Sequence, residues 1–118
     1  MDKKFIGNTG EDIAVEYLSG IGYKIIKRND KRRGVEADIL AQDKDQKVVV
    51  EVKTKTGLEY GLPQEMVTKR KQGQLIRYAK SLIADFGWQN LRIDIVAVDL
   101  SENEPKIEHL INAVEGRT

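Results

Sequence analysis

The feature that most limits what this chain can become is Val48-Val49-Val50-Glu51-Val52-Lys53, four valines in five residues with a carboxylate among them. Branched β-carbons fit a pleated sheet better than a helix, so the segment predicts a β-strand. Side chains alternate along a strand. Val48, Val50 and Val52 therefore share one face, and Val49, Glu51 and Lys53 the other. A carboxylate and an ammonium then stand roughly 7 Å apart on a strand rich enough in valine to be buried. Buried charge is costly unless it is paired or bound to a metal. A solvated face carrying an ordinary Glu/Lys pair also accounts for the triplet, so its neighbours must decide.

The preceding segment, Glu36-Ala37-Asp38-Ile39-Leu40-Ala41, predicts a second strand with Ala37, Ile39 and Ala41 on one face and Glu36, Asp38 and Leu40 on the other. Asp43 to Gln46 reads as a four-residue hairpin loop between the two strands. Counting outward, Gln42 faces Lys47, Ala41 faces Val48, Leu40 faces Val49, Ile39 faces Val50, Asp38 faces Glu51 and Glu36 faces Lys53. A slip of one residue would bury the charges, so the hydrophobic pattern sets this register. Two opposed carboxylates about 5 Å apart at their β-carbons repel unless a cation lies between them.

Elsewhere the chain alternates helix and strand signals. Asn8 or Thr9 is expected to cap a first helix, with Thr9-x-x-Asp12 as its capping box, running to about Ser19 and stopped by Gly20 and Gly22. Its stripe holds Ala14, Leu18 and Ile21, with Glu11 on the same side. Tyr23 to Arg28 predicts a short strand, closed by the turn-prone Asn29-Asp30 and then Gly34. After Lys53 a loop passes Gly57, Gly61 and Pro63. Thr68 is expected to cap a long helix ending near Phe86, with a core stripe of Leu75, Ile76, Ala79, Leu82, Ile83 and Phe86. Lys69, Arg70 and Lys71 crowd its first turn, where cations oppose the helix dipole and a bound anion would relieve them. Leu91 to Val98 predicts an internal strand with Arg92 and Asp94 paired, and Lys106 to about Ala113 a short final one.

Composition narrows the chemistry. The 118 residues suit one domain with its own core, spanning 1–118. No cysteine is present, which excludes thiolate zinc sites and cysteine nucleophiles and fits a reducing compartment. The lone histidine, His109, is expected at the surface and cannot make a histidine-rich site. No long apolar run predicts a membrane span, and Met1-Asp2-Lys3-Lys4 is not followed by a secretory core, so the expectation is a soluble cytoplasmic protein. Net charge is only +1, yet Lys27, Arg28, Lys31, Arg32 and Arg33 crowd around one acid, Asp30. Residues 99–118 carry five acids and two bases. Such segregation suits a protein with one phosphate-facing side, and equally a charge-rich surface.

Asp38 followed by Glu51-Val52-Lys53 resembles the PD-(D/E)xK nuclease signature. More narrowly, the chain is similar to the YraN family of uncharacterised proteins, predicted nucleases related to archaeal Holliday-junction resolvases. The matching segments are Gly10-Glu11, Gly22-Tyr23, Glu36 to Ala41, Val50 to Lys53, Val67-Thr68, Lys71, Leu75, Ala79, Arg92 to Val96 and Asn112-Ala113. Val35 departs from the pattern by separating Gly34 from Glu36. Gln74 and Tyr78 resemble, loosely, the Gln-x-x-x-Tyr helix element of RecB-type nucleases.

The resemblance implies an α/β fold: a restriction-endonuclease-like mixed β-sheet flanked by helices, in the order αβββαβ with a short final strand. It implies a catalytic set of Glu11, Asp38, Glu51 and Lys53. Asp38 and Glu51 offer hard oxygen ligands to Mg²⁺ or Mn²⁺. The Val52 carbonyl is a further ligand by the resemblance, with Glu11 acting directly or through water. Lys53 would place the nucleophile or stabilise developing charge. Lys27, Arg28, Lys31, Arg32, Arg33, Lys55, Lys69 and Lys71 would grip the phosphate backbone without reading sequence. Glu36, Gln74 and Tyr78 are accessory candidates. Three readings stay open: an endonuclease acting on DNA, branched or structured DNA included; a nucleic-acid-binding module without turnover; and a protein-interaction domain. A homodimer is one assembly open to each.

Overall fold

The computed structural model describes residues 3–57 and 63–114. In chain order the elements are α1 (Lys3–Gly20), β1 (Lys24–Arg32), β2 (Val35–Asp43), β3 (Gln46–Lys55), a 3₁₀ turn at Pro63–Met66, α2 (Lys69–Phe86), β4 (Arg92–Asp99) and β5 (Lys106–Leu110). The strands form one mixed sheet in the order β1-β2-β3-β4-β5. β3 and β4 run parallel, joined through α2, and every other neighbouring pair is antiparallel. The expected α/β architecture, a mixed sheet flanked by helices, is the one found. Among the described residues no helix is long and apolar enough to cross a membrane.

The sheet is covered on both faces because its central strands alternate two apolar sets. Val48 and Val50 of β3 and Val96 and Val98 of β4 pack with Ala14 and Leu18 of α1. Val49 of β3 and Ile93 and Ile95 of β4 pack with Leu75, Tyr78, Ala79 and Leu82 of α2. Glu51 and Lys53 fall by alternation on the α2 face, beside Val49. Thr68 caps α2 as expected, its hydroxyl accepting the Lys71 N–H at 3.1 Å. Gly87, at φ 68°, ends the helix by donating its N–H to the Ile83 carbonyl. That left-handed conformation is one glycine adopts without a steric penalty.

Several expectations are corrected. α1 begins at Lys3, so Asn8 and Thr9 lie inside the helix rather than capping it. Continuous helical backbone upstream satisfies the donors a cap would serve. Ile21 lies beyond the end of α1 and is half exposed. β1 runs straight through Asn29-Asp30 to Arg32, and the reversal falls at Arg33-Gly34, both at positive φ. Asp30 stays in the strand because it is buried there, accepting from the Tyr78 hydroxyl at 2.7 Å and paired with Lys27 and Arg32. The β2–β3 loop is two residues, Lys44-Asp45, since Asp43 pairs with Gln46. Along α2, Ile83 and Phe86 are exposed while Tyr78 and Ser81 are buried. Tyr78 can turn inward because Asp30 satisfies its hydroxyl. β5 stops at Leu110, and Gly61 lies outside the described residues.

His109 is also corrected, because its side chain is only 6% exposed. It belongs to a buried polar knot around Asp94, which is fully buried. Asp94 accepts from Arg92 Nε at 3.0 Å, His109 Nε2 at 2.8 Å, the Asn112 N–H at 2.9 Å and the Tyr23 hydroxyl at 3.3 Å. Arg92 reaches on to Asp43 at 3.1 Å and Gln46 at 2.8 Å, as well as to the Tyr23 hydroxyl. The expected Arg92–Asp94 pair is thus the centre of a network tying β4 to the β2–β3 hairpin, to Tyr23 and to β5. With Nε2 donating, Nδ1 of a neutral ring accepts from the Tyr17 hydroxyl at 3.0 Å.

Candidate functional site

The β2–β3 ladder has the register that the hydrophobic pattern predicts, from Asp43–Gln46 to Ile39–Val50, and there it stops. β3 continues to pair with β4 as far as Lys55–Asp99. Beyond Val50, then, β3 has lost its β2 neighbour on one edge. The Asp38 side chain fills the gap: its Oδ2 accepts the Val52 N–H at 2.8 Å. Asp38 and Glu51 are consequently not a ladder pair, and Glu36 does not face Lys53 but pairs with Lys31 of β1.

The same departure changes the face of β2. Val35 and Ala37 join the core under α2, while Ile39 and Ala41 join the core under α1. The even alternation expected across Ala37, Ile39 and Ala41 is broken at Asp38. Asn29, on the neighbouring strand between Arg28–Ile39 and Asp30–Ala37, sits at φ 51°. A carboxylate at the point where two strands part can be approached from both faces of the sheet, and both helices send residues towards it.

From the α2 face comes Glu51, 3% exposed. Lys53 Nζ stands 3.8 Å and Lys71 Nζ 3.9 Å from its Oε2. Its other oxygen, Oε1, is buried and meets no hydrogen-bond donor. Burial, and then the adjoining Asp38 carboxylate, push the Glu51 pKa up to about 8, against the pull of Lys71 and Lys53.

From the α1 face comes Glu11, also buried. Arg28 Nη2 lies 3.4 Å from its Oε1, and Asn29 Nδ2 3.3 Å from its Oε2. Burial raises its pKa and Asp38 raises it further, while Asn29 and Arg28 oppose the rise. Gly10 lets α1 come this close: a β-carbon there would fall on the Thr54 hydroxyl of β3. Asn29 and Thr54 were not singled out in the sequence. Asn29 has the composition of a turn, and no local pattern marks a helix glycine as a contact with a strand forty-four residues on.

The structure brings Asp38, Glu51, Lys53 and Lys71 together and sets Glu11 alongside, held by its own partners. Among the described residues, no group of three Asp, Glu, His or Cys side chains is gathered at metal-binding distance. The donor chemistry still fits a hard divalent ion. It consists of two abutting carboxylates, one with an orphaned buried oxygen, next to a strand whose carbonyls are hard donors.

The other candidates are more dispersed. Lys27 pairs with Asp30, Arg28 with Glu11 and Asp12, Arg32 with Asp30 and Asp85, and Arg33 with Asp85. Folding therefore brings Asp12 and Asp85 against a segment that reads as strongly basic in sequence. Lys31 and Lys69 are exposed and Lys55 is half-buried. Gln74 is half-buried on α2, whereas Tyr78 is in the core with its hydroxyl on Asp30, and Glu36 offers its carbonyl to Lys71 Nζ at 3.4 Å.

Comparison with known proteins sets this site in context. Residues 10–98 match the family described as "Uncharacterised protein family UPF0102". A UPF0102 protein of Dehalococcoides mccartyi is 44% identical over 115 residues, covering 96% of this chain and 95% of that one. A UPF0102 protein of Geobacter sulfurreducens is also 44% identical, over 95% of this chain and 90% of its own length. Among solved structures, a repair endonuclease from Pyrococcus abyssi superposes with a TM-score of 0.51 and 26% identity. The likeness covers 72% of this chain and 35% of that one.

Proposed function

We propose, from the premise that this chain belongs to the UPF0102 family, that it is a metal-dependent nuclease hydrolysing phosphodiester bonds of DNA. The observation that carries the reading is the half-buried Asp38 beside the buried Glu51, the orphaned Oε1 of Glu51 and the adjacent Lys53, set where β2 and β3 part. The likeness to a repair endonuclease supports it at the level of the fold and adds nothing about substrate.

Asp38, Glu51 and the Val52 carbonyl would hold Mg²⁺ or Mn²⁺, with Glu11 contributing directly or through water. Such an ion supplies charge to a phosphate and makes a nearby water more acidic. The chain's own part is the remainder. Asp38 is fixed by the Val52 N–H, so its free oxygen has one orientation. Lys53 lies along the same edge and can neutralise charge building on the phosphate as water adds and the ester P–O bond breaks. Lys31, Lys55 and Lys69 would hold the flanking phosphates, a grip without sequence preference that weakens with salt.

The test is a cleavage screen over linear, flapped and four-way DNA with Mg²⁺, Mn²⁺ or EDTA. Cleavage that needs the ion and is lost in Asp38→Asn and Lys53→Met supports the reading; cleavage that survives both substitutions sinks it. A binding module without turnover is the rival, and the hold of Arg28 and Asn29 on Glu11 favours it. That rival predicts salt-sensitive, chelator-insensitive binding and no products with any ion.

A further inference from the structure

α2 opens with Lys69, Arg70 and Lys71, and its first turn contains no acid to offset them. Lys69 and Arg70 point to solvent. Lys71 does not: its side chain is 27% exposed and reaches Glu51. Its place is set by the cap, because Thr68 Oγ1 accepts its backbone N–H.

Its contacts are long for a half-buried ammonium. An N–H···O bond between full charges closes to about 2.8 Å. Among the described residues, Lys71 Nζ stands 3.9 Å from Glu51 Oε2 and 3.4 Å from the Glu36 carbonyl. Lys53 Nζ is 3.8 Å from the same Oε2. Two ammonium groups thus converge on one carboxylate oxygen without closing on it, each about an ångström beyond full contact. The other oxygen of that carboxylate is buried and has no donor. Two cations near one oxygen of a carboxylate, with the other oxygen left without a donor, make a site for a paired ligand: an anion for the lysines and a cation for the acids.

We infer that Lys71 is a second lysine of this site, which binds the phosphate group being cleaved jointly with Lys53 rather than merely balancing Glu51. The inference rests on the nuclease reading and adds to it the residue that receives the phosphate from the α2 side. A phosphodiester oxygen between Lys53 and Lys71 takes up donors that the protein leaves loosely used. It also relieves the clash between the α2 dipole and its basic first turn.

The experiment compares the full-length wild type with Lys71→Met, Lys71→Arg and, as a control for lost charge, Lys80→Met on the exposed side of α2. Three readouts are taken: Mn²⁺ affinity by calorimetry without DNA, DNA affinity by fluorescence anisotropy with Ca²⁺ or EDTA, and the kcat and KM of cleavage with Mn²⁺. Lys71→Met is expected to raise KM and the ion-dependent DNA dissociation constant about tenfold or more. Its Mn²⁺ affinity holds or tightens, since a neighbouring positive charge has gone. Lys71→Arg recovers most of the DNA affinity, and Lys80→Met stays within about twofold of wild type.

If Lys71→Met loses Mn²⁺ affinity in step with cleavage, the lysine serves only Glu51 and the inference falls. It falls equally if KM and DNA affinity do not move. A wild type that shows ion-dependent cleavage alongside an unaffected Lys71→Met refutes the inference and leaves the nuclease reading standing. A wild type with neither ion-dependent cleavage nor ion-dependent DNA binding refutes both.

Discussion

Replacing Glu51 with glutamine should make the metal-free protein more stable, by an amount that grows as the pH rises from 4.5 to about 8 and then levels off. Burial and the Asp38 carboxylate lift the Glu51 pKa from 4.5 to about 8. In the unfolded chain the same group has lost its proton by the time the pH is well above 4.5. A raised carboxyl pKa means that the folded state binds the extra proton, so the stability it contributes is complete below pH 4.5 and is lost as the pH rises through about 8. At about 1.36 kcal/mol for each pKa unit, the full loss is on the order of 5 kcal/mol, part of which relaxation of the two lysines will return. Glutamine keeps the shape and removes the charge. We therefore expect Glu51→Gln to equal wild type at acid pH and to exceed it by about 2 kcal/mol above pH 8, or about 8 °C in melting temperature for a chain of this size. The assay is thermal melting followed by circular dichroism, with EDTA, across that pH range. Adding Mn²⁺ should then restore the wild type and leave Glu51→Gln unmoved, because ion binding requires the deprotonated ligand. A wild-type melting temperature that is flat from acid to alkaline pH, or a Glu51→Gln that melts lower above pH 8, would show that this carboxylate is not held against its charge.

Asp94→Ala leaves Arg92 and His109 without their common acceptor inside the sheet, and should cost about 3–5 kcal/mol in urea unfolding. The Asp94 pKa is lowered in the fold: burial works against this, but His109, Arg92 and the Asn112 N–H outweigh it. Its stability contribution is therefore present above the usual carboxylate pKa and lost as the pH falls below it, and acid unfolding of Asp94→Asn should lack that component. Gly10→Ala places a methyl on the Thr54 hydroxyl and should destabilise by about 1–3 kcal/mol, partly recovered by adding Thr54→Ala in the same denaturation assay. Tyr78→Phe takes a donor from Asp30 and should cost about 1–2 kcal/mol while leaving kcat within about twofold, since the hydroxyl points at Asp30.

The register of the β2–β3 hairpin was legible because side chains alternate with a period of two and the polar turn between Asp43 and Gln46 fixes where the two strands begin to pair. The Thr68 cap, the end of α2 at Phe86 and the Arg92–Asp94 pair were legible too, each resting on neighbours a few residues apart. What local pattern could not give was every feature decided by a partner distant in sequence. Asn29-Asp30 have the composition of a turn but stay in β1 because Tyr78, on the far helix, binds Asp30. His109 looks like a surface residue until Asp94 and Tyr17 enclose it. The basic segment from Lys27 to Arg33 reads as a phosphate grip, yet Asp12 and Asp85 arrive only through tertiary contact and pair with its arginines.

The candidate site divides along the same line. That Asp38 and Glu51 come near one another follows from counting along two strands. That the ladder breaks there, that Asp38 takes the Val52 N–H and that Lys71 arrives over Glu51 required the helices to be in place. The physical reason is range. Alternation, capping and turn chemistry act over a few residues and are written in the chain itself. Burial and Coulomb forces act between whatever the fold makes neighbours, and the ionisation of a group such as Glu51 has no value until those neighbours are set.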